Sequence, residues 1–310
     1  MADPPAISQQ LSKVVADVGT VILGKEPQIR LALTCFVARG HLLIEDLPGV
    51  GKTTLAQTLA AVLGLDFQRI QFTSDLLPAD ILGTTVFDRT HSEFRFHRGP
   101  IFAQVILADE VNRATPKTQS ALLEAMEEYQ VTIDGDTFQL PEPFFVIATQ
   151  NPSFQIGTFP LPESQLDRFL MRLELGYPGD AAERELLCGE DRRRRLRELK
   201  PTFNLETLLA IRDAALEIEM SMALMDYVQA LLNYSRSAPC FHCGLSPRAG
   251  LSLVRCAQVW AMMDGRRYVV PEDVQAVLPA VAVHRLQPSP EHRELSGRDL
   301  VNQLLEVAIP

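Results

Sequence analysis

No apolar run in these 310 residues approaches the ~18 that cross a bilayer, and the opening Met1-Ala2-Asp3-Pro4-Pro5 holds no basic segment leading into an apolar one. The expectation is a cytoplasmic protein without a membrane partner. Positive charge is also in deficit, 29 Lys and Arg against 39 Asp and Glu for a formal charge of -10, which argues against general affinity for nucleic acid or anionic lipid. Protein partners fit that balance better. Cysteine is sparse: Cys35, Cys188, Cys240, Cys243 and Cys256 form an odd, scattered set, unlike the dense even framework of a small secreted fold. Only Cys240-Phe241-His242-Cys243 offers two thiols and an imidazole together. With no second ligand cluster at finger-like spacing, it reads as a loop cysteine pair. The one basic run, Arg192 to Arg195, sits among Glu190, Asp191 and Glu198 without interleaved aromatics, so it reads as a solvated helix face.

What is present is an ordinary globular composition, 46% hydrophobic and 22% charged, in a chain long enough for two domains. From Leu42 to about Gly176, short apolar strands alternate with helical periods, the signature of a parallel sheet covered on both faces. His41 to Ile44, Val105 to Ala108 and Phe144 to Thr149 are the buried strands; Thr53 to Leu63 and Thr118 to Glu128 are helices. Between them, residues 75–98 break the alternation and read as an inserted helix and hairpin. After Tyr177-Pro178-Gly179 helical periods dominate. The expected organisation is an α/β domain over 1–178 and an all-α domain over 179–310.

The stretch Ile44 to Leu55, IEDLPGVGKTTL, links the first strand to the first helix. Pro48-Gly49-Val50-Gly51-Lys52-Thr53-Thr54 reads as a phosphate-binding loop, because such a loop aims successive N–H groups and a helix N-terminus into one concavity. Gly49 and Gly51 permit that path, Lys52 supplies charge for the β and γ phosphates of ATP or ADP, and Thr53 a hydroxyl for Mg²⁺. Asp46 stands where the common pattern has its first glycine. Its cost is small if its carboxylate faces away from the phosphates. Asp109 and Glu110 close the second strand, placing one acid to hold Mg²⁺ and another to orient or deprotonate water. Gln150 and Asn151 end the third strand at the same sheet edge.

These residues carry a family resemblance. Leu107 to Ala114 with Lys117 to Glu128, Ala148 to Pro152, Leu161 to Phe169 and Leu245 to Ala249, in that order, resemble the motifs of MoxR-type AAA+ ATPases, over about Val21 to Leu286. The resemblance implies an AAA+ core followed by a helical lid, with an altered first loop position that accounts for Asp46. It likens Asn151 to sensor 1, Arg168 to an arginine finger reaching a neighbouring subunit's nucleotide, and Arg248 to sensor 2, closing the lid over the phosphates. Arg172 is the rival finger, and Arg113 and Glu127 are further candidates for the subunit seam. Residues 75–98 resemble the helix-2 insert of the clade that also holds magnesium-chelatase motor subunits, an element facing pore or substrate. A Mg²⁺-dependent ATPase assembling as a hexameric ring is the expected function. It would remodel or activate client proteins with a partner carrying a von Willebrand factor A domain. The competing readings are a magnesium-chelatase motor subunit, a nucleic-acid motor and a small-molecule kinase.

Overall fold

The computed structural model describes residues 4–151, 157–189 and 192–309. Pro152 of the Asn151-Pro152 motif, and Glu190 and Asp191, lie outside them. Two helices that the sequence reading did not assign, α1 (Pro4–Gly19) and α2 (Glu26–Val37), precede the first strand. In α1, Ile7, Leu11, Val14 and Val18 recur at helical spacing and are all buried.

The alternating region then runs β1 (Leu42–Glu45), α3 (Lys52–Leu63), β2 (Phe67–Gln71), α4 (Pro78–Leu82), β3 (Gly83–Asp88), β4 (Glu93–Arg98), β5 (Val105–Asp109), α5 (Pro116–Glu128), β6 (Gln130–Ile133), β7 (Asp136–Gln139), β8 (Phe145–Gln150), α6 (Glu163–Leu166) and β9 (Met171–Leu173). Five strands form one parallel sheet in the order β2-β5-β8-β1-β9. Alternate residues of the central strands enter two different cores. Leu42, Ile44, Val105 and Leu107 pack with α1, α2 and α3, whereas Leu43, Ile106 and Ala108 pack with Leu122, Leu123 and Met126 of α5. Because every strand runs the same way, the sheet has one C-terminal edge, after Glu45, Gln71, Asp109 and Gln150, and one N-terminal edge, before Leu42 and Met171.

The inserted segment is a helix and hairpin as expected: α4 leads into β3, paired antiparallel with β4 from Gly83↔Arg98 to Asp88↔Glu93. A second hairpin, β6 with β7, was not anticipated. Its turn is Asp134-Gly135, with φ of 53° and 92°, the left-handed pair that a two-residue hairpin needs. Phe96 stacks on Phe138 at 4.3 Å between ring centroids and joins the two hairpins.

The remaining chain is helical: α7 (Asp180–Cys188), α8 (Arg192–Glu198), α9 (Leu205–Ala215), α10 (Met222–Ser237), α11 (Pro247–Met263), α12 (Pro271–Ala282) and α13 (Gly297–Leu305). One departure corrects the all-α expectation: β10 (Phe241–Cys243) pairs antiparallel with β11 (Gln287–Pro288). The cysteine pair therefore lies on and beside a strand rather than in a loop. Cys240 is buried and its thiol donates to Gln303 Oε1 at 2.7 Å, while Cys243 is exposed, and both are free thiols. Among the described residues no group of His, Cys, Asp and Glu could hold a metal ion, and no helix is long and apolar enough to cross a membrane. The apolar layer under α1 and α2 continues into α9, α11 and α12. The change near residue 178 is thus one of architecture, not a break in packing.

Candidate active site

The loop after β1 closes on itself. Lys52 begins α3, and its ammonium donates to the main-chain oxygens of Asp46 and Leu47 and, at 3.2 Å, to Asn151 Oδ1. Burial lowers the Lys52 pKa, and Asp46, Asp109 and Glu110 partly offset the shift. A cation poorly solvated by water and held only by neutral oxygens is well placed to meet phosphate. Gly49 and Gly51 have φ of 86° and 98°, and an added Cβ at either would meet nothing within 4 Å. Conformation, not space, demands glycine there. Gly51 caps α3 without a side-chain hydrogen bond, which leaves first-turn N–H groups for a ligand.

Asp46 is 9% exposed, and its carboxylate turns away from this loop. Oδ1 accepts from Leu47 N–H at 2.7 Å and Oδ2 from Gly176 N–H at 2.6 Å. The acid at the irregular loop position is a brace between the loop's entrance and the chain leaving β9.

Pro48, Gly49, Gly51, Lys52, Thr53, Thr54, Asp109, Glu110 and Asn151 line one cavity of about 300 Å³. Thr149 orders the two acids: its hydroxyl donates to Asp109 Oδ1 at 2.6 Å and accepts from Glu110 N–H at 2.9 Å. Glu110 itself has φ 58° and ψ 48°, a strained left-handed conformation for a side-chain-bearing residue at the sheet edge. Its carboxylate accepts from Asn151 Nδ2 at 3.0 Å, Gln71 Nε2 at 3.0 Å and Arg113 Nη1 at 2.9 Å. Arg69 donates through Nε and Nη2 to Asp109 Oδ2, at 3.0 and 2.6 Å. The oxygens of Thr53 and Asp109 suit a hard cation such as Mg²⁺, which would share or displace the Arg69 contact. Arg69 and Gln71, both on edge strand β2, were missed by sequence reasoning. Arg113, a candidate for a subunit seam, pairs with Glu110 of its own chain.

Arg168 and Arg248 do not join this cavity. Arg168 precedes β9 and so stands at the N-terminal edge of the sheet, where Nη2 lies 2.9 Å from Glu127 Oε2. The neighbouring acids are engaged elsewhere: Asp167 accepts from Arg285 Nε at 2.6 Å, and Glu163 Oε1 from Gln287 Nε2 at 2.7 Å. Arg248, in the first turn of α11, donates to Glu127 Oε1. Arg248, expected to close the lid over the phosphates, does not line the phosphate-loop cavity of its own chain. Ser246, the cap of α11, bonds the Asp167 carboxylate at 3.2 Å and pins that helix end beside Arg168. Both arginines line a second cavity of about 260 Å³, with Glu127, His41, Tyr129 and Arg255. Burial pushes His41 down to about 4, so arginine supplies the positive charge of this cavity at neutral pH. Arg172, the rival finger, lies between Glu174, 3.0 Å from Nη2, and Glu45, 3.2 Å from Nε.

The profile of the ATPase family associated with various cellular activities (AAA) matches residues 41–171, and that of the AAA lid domain matches residues 233–304. The chain is 39% identical to Chaperone MoxR1 of Mycobacterium tuberculosis, over 97% of this chain and 82% of that one. It is 32% identical to Protein MoxR of Methylorubrum extorquens, over 93% of this chain and 90% of that one. The crystal structure of a candidate ATPase from Cytophaga hutchinsonii superposes with a TM-score of 0.89 at 36% identity, covering 98% of this chain and 96% of that one.

Proposed function

The chain belongs to the MoxR family of AAA+ ATPases, and from that premise we propose that it hydrolyses ATP with Mg²⁺ in a ring of identical copies, hexameric by the family resemblance, to remodel or activate client proteins. One observation carries the reading. Loop, acids and polar strand end converge on one cavity at the C-terminal sheet edge, while two half-exposed arginines stand at the opposite edge.

Lys52 and the first N–H groups of α3 bind the β and γ phosphates. Thr53 and Asp109 would hold Mg²⁺, which supplies charge neutralisation on the phosphate oxygens. Glu110 is the general base and Asn151 orients it. A carboxylate offers roughly four lone-pair sites. Three are taken by Asn151, Gln71 and Arg113, which leaves one for an attacking water. Arg168 and Arg248 act together on the nucleotide of a neighbouring copy, since β1 alone separates the two sheet edges by ~13 Å at about 3.3 Å per residue. Arg172 is paired inside its own sheet, which favours Arg168 as the finger.

A client would meet the hairpin of β3 and β4. Phe87 and Phe94 are 48% and 74% exposed and pair edge to face at 5.2 Å, an apolar patch without cover among the described residues. Partners carrying von Willebrand factor A domains complete the proposal. The test is ATP binding and steady-state hydrolysis by the purified chain and by Lys52→Ala. The variant should keep the wild-type circular dichroism spectrum and lose both activities; unchanged ATP affinity in it would sink the assignment.

A further inference from the structure

Glu127 ends α5 with one carboxylate oxygen on each of two guanidinium groups, Oε2 on Arg168 and Oε1 on Arg248. The first arginine comes from the core and the second from the lid, 80 residues apart in sequence, so one side chain ties the two domains at a single point. Each guanidinium spends its Nη2 on Glu127, and no other hydrogen bond or ion pair of either guanidinium is found among the described residues. The rest of each fork stays free. The side chains are only 30% and 47% exposed for the arginines and 34% for Glu127, so the trio is held at the surface without being sealed off.

Two guanidinium groups side by side repel each other, and a carboxylate shared between them offsets that repulsion. We infer that Glu127 is the positioning residue of the trans-acting pair: it holds Arg168 and Arg248 at the spacing a neighbouring copy's phosphoryl group requires, and so couples the lid's position to the finger. The inference rests on the reading that these arginines serve another copy's nucleotide. It places no role for Glu127 in its own chain's site, because that site lies at the other sheet edge.

The prediction is directional. Glu127→Ala should lower kcat by about tenfold or more, the scale on which a misplaced positioning group acts. KM for ATP should stay within about twofold, because the chain's own loop is untouched. Glu127→Asp, which keeps the charge on a shorter arm, should fall between Glu127→Ala and wild type. The deciding assay mixes chains. Glu110→Gln chains cannot turn over their own ATP but present an intact Glu127, Arg168 and Arg248. Added to Glu127→Ala, they should restore hydrolysis in the Glu127→Ala sites, as they should when added to Arg168→Ala, with mixed oligomers verified by native mass spectrometry. If Arg168→Ala is rescued while Glu127→Ala is not, or if Glu127→Ala turns over like wild type, Glu127 is not the positioning residue and the trans reading stands. If Arg168→Ala is not rescued within verified mixed oligomers, the trans reading falls and this inference with it.

Discussion

Replacing Asp46 by glycine would restore the first residue of the commoner phosphate-loop pattern, and the structure says that this restoration should harm the protein. Both carboxylate oxygens accept main-chain N–H groups, from Leu47 at 2.7 Å and from Gly176 at 2.6 Å. A hydrogen bond to a charged group contributes about 1.5–3 kcal/mol. The Gly176 bond spans 130 residues of sequence and takes that full range; the Leu47 bond, beside a residue that is 43% exposed, takes less. Added backbone freedom in the unfolded chain costs about 0.4–1 kcal/mol more. Together these make Asp46→Gly less stable by about 3–4 kcal/mol, which at ~1.5 °C per kcal/mol for a chain of this length is a fall in Tm of roughly 5 °C. Nucleotide affinity should hardly move, since Lys52 rests on the main-chain oxygen of Asp46, which any residue supplies, and Gly49 and Gly51 keep the turn. We expect the ATP Kd to change by no more than about threefold, ~0.6 kcal/mol. Differential scanning calorimetry and a fluorescent-nucleotide titration read the two quantities separately. A variant as stable as wild type, or one that binds ATP tenfold tighter, would refute the brace and restore the view that Asp46 is a defective loop residue.

Glu110→Gln should bind ATP as wild type does and hydrolyse it about 10²–10⁴-fold more slowly, the usual worth of a general base, because the amide keeps the side chain's size and one acceptor oxygen but takes no proton; single-turnover hydrolysis measures it. Phe94→Ser on the exposed hairpin should leave basal hydrolysis unchanged and abolish any stimulation of the ATPase by a client protein; equal stimulation in the variant would remove the hairpin from client contact.

The loop and the acids were legible because their chemistry depends on residues adjacent in sequence. A glycine path, a lysine and a helix start cannot be far apart, and Asp109, Glu110 and Asn151 each follow an apolar strand that announces its own end. The place of Arg248 was not legible. It depends on how α11 packs, and that is set by Ser246 on Asp167, 79 residues away, by Arg285 on the same carboxylate, 118 away, and by Ser8 on Met263, 255 away. No local pattern encodes such contacts. Arg69 and Gln71 were hidden for another reason: β2 is an edge strand in which only Ile70 is buried, so its sequence shows no clean period. The hairpin of β6 and β7 and helix α1 were different again. Asp134-Gly135 and the spacing of Ile7, Leu11, Val14 and Val18 were readable signals that passed unused.

The placement of the two candidate surfaces restricts how copies can assemble. If Arg168 and Arg248 serve another copy's nucleotide, each copy must both offer its arginines to a neighbouring loop and receive a neighbour's arginines at its own. In a two-fold pair both surfaces would have to face the same partner at once, whereas in a ring they face different neighbours. Here they lie beyond opposite ends of parallel strands, with Lys52 after the C-terminal end of β1 and Arg168 before the N-terminal end of β9. The proposed ring meets this with one head-to-tail contact repeated around it, which closes only with three or more copies. Glu110→Gln loaded with ATP should accordingly give rings by native mass spectrometry and negative-stain microscopy, with dimers only as open intermediates that fail to accelerate hydrolysis in mixing assays. A stable two-fold dimer with full wild-type turnover would overturn the ring, since the arginines would then reach the other copy's loop without head-to-tail closure.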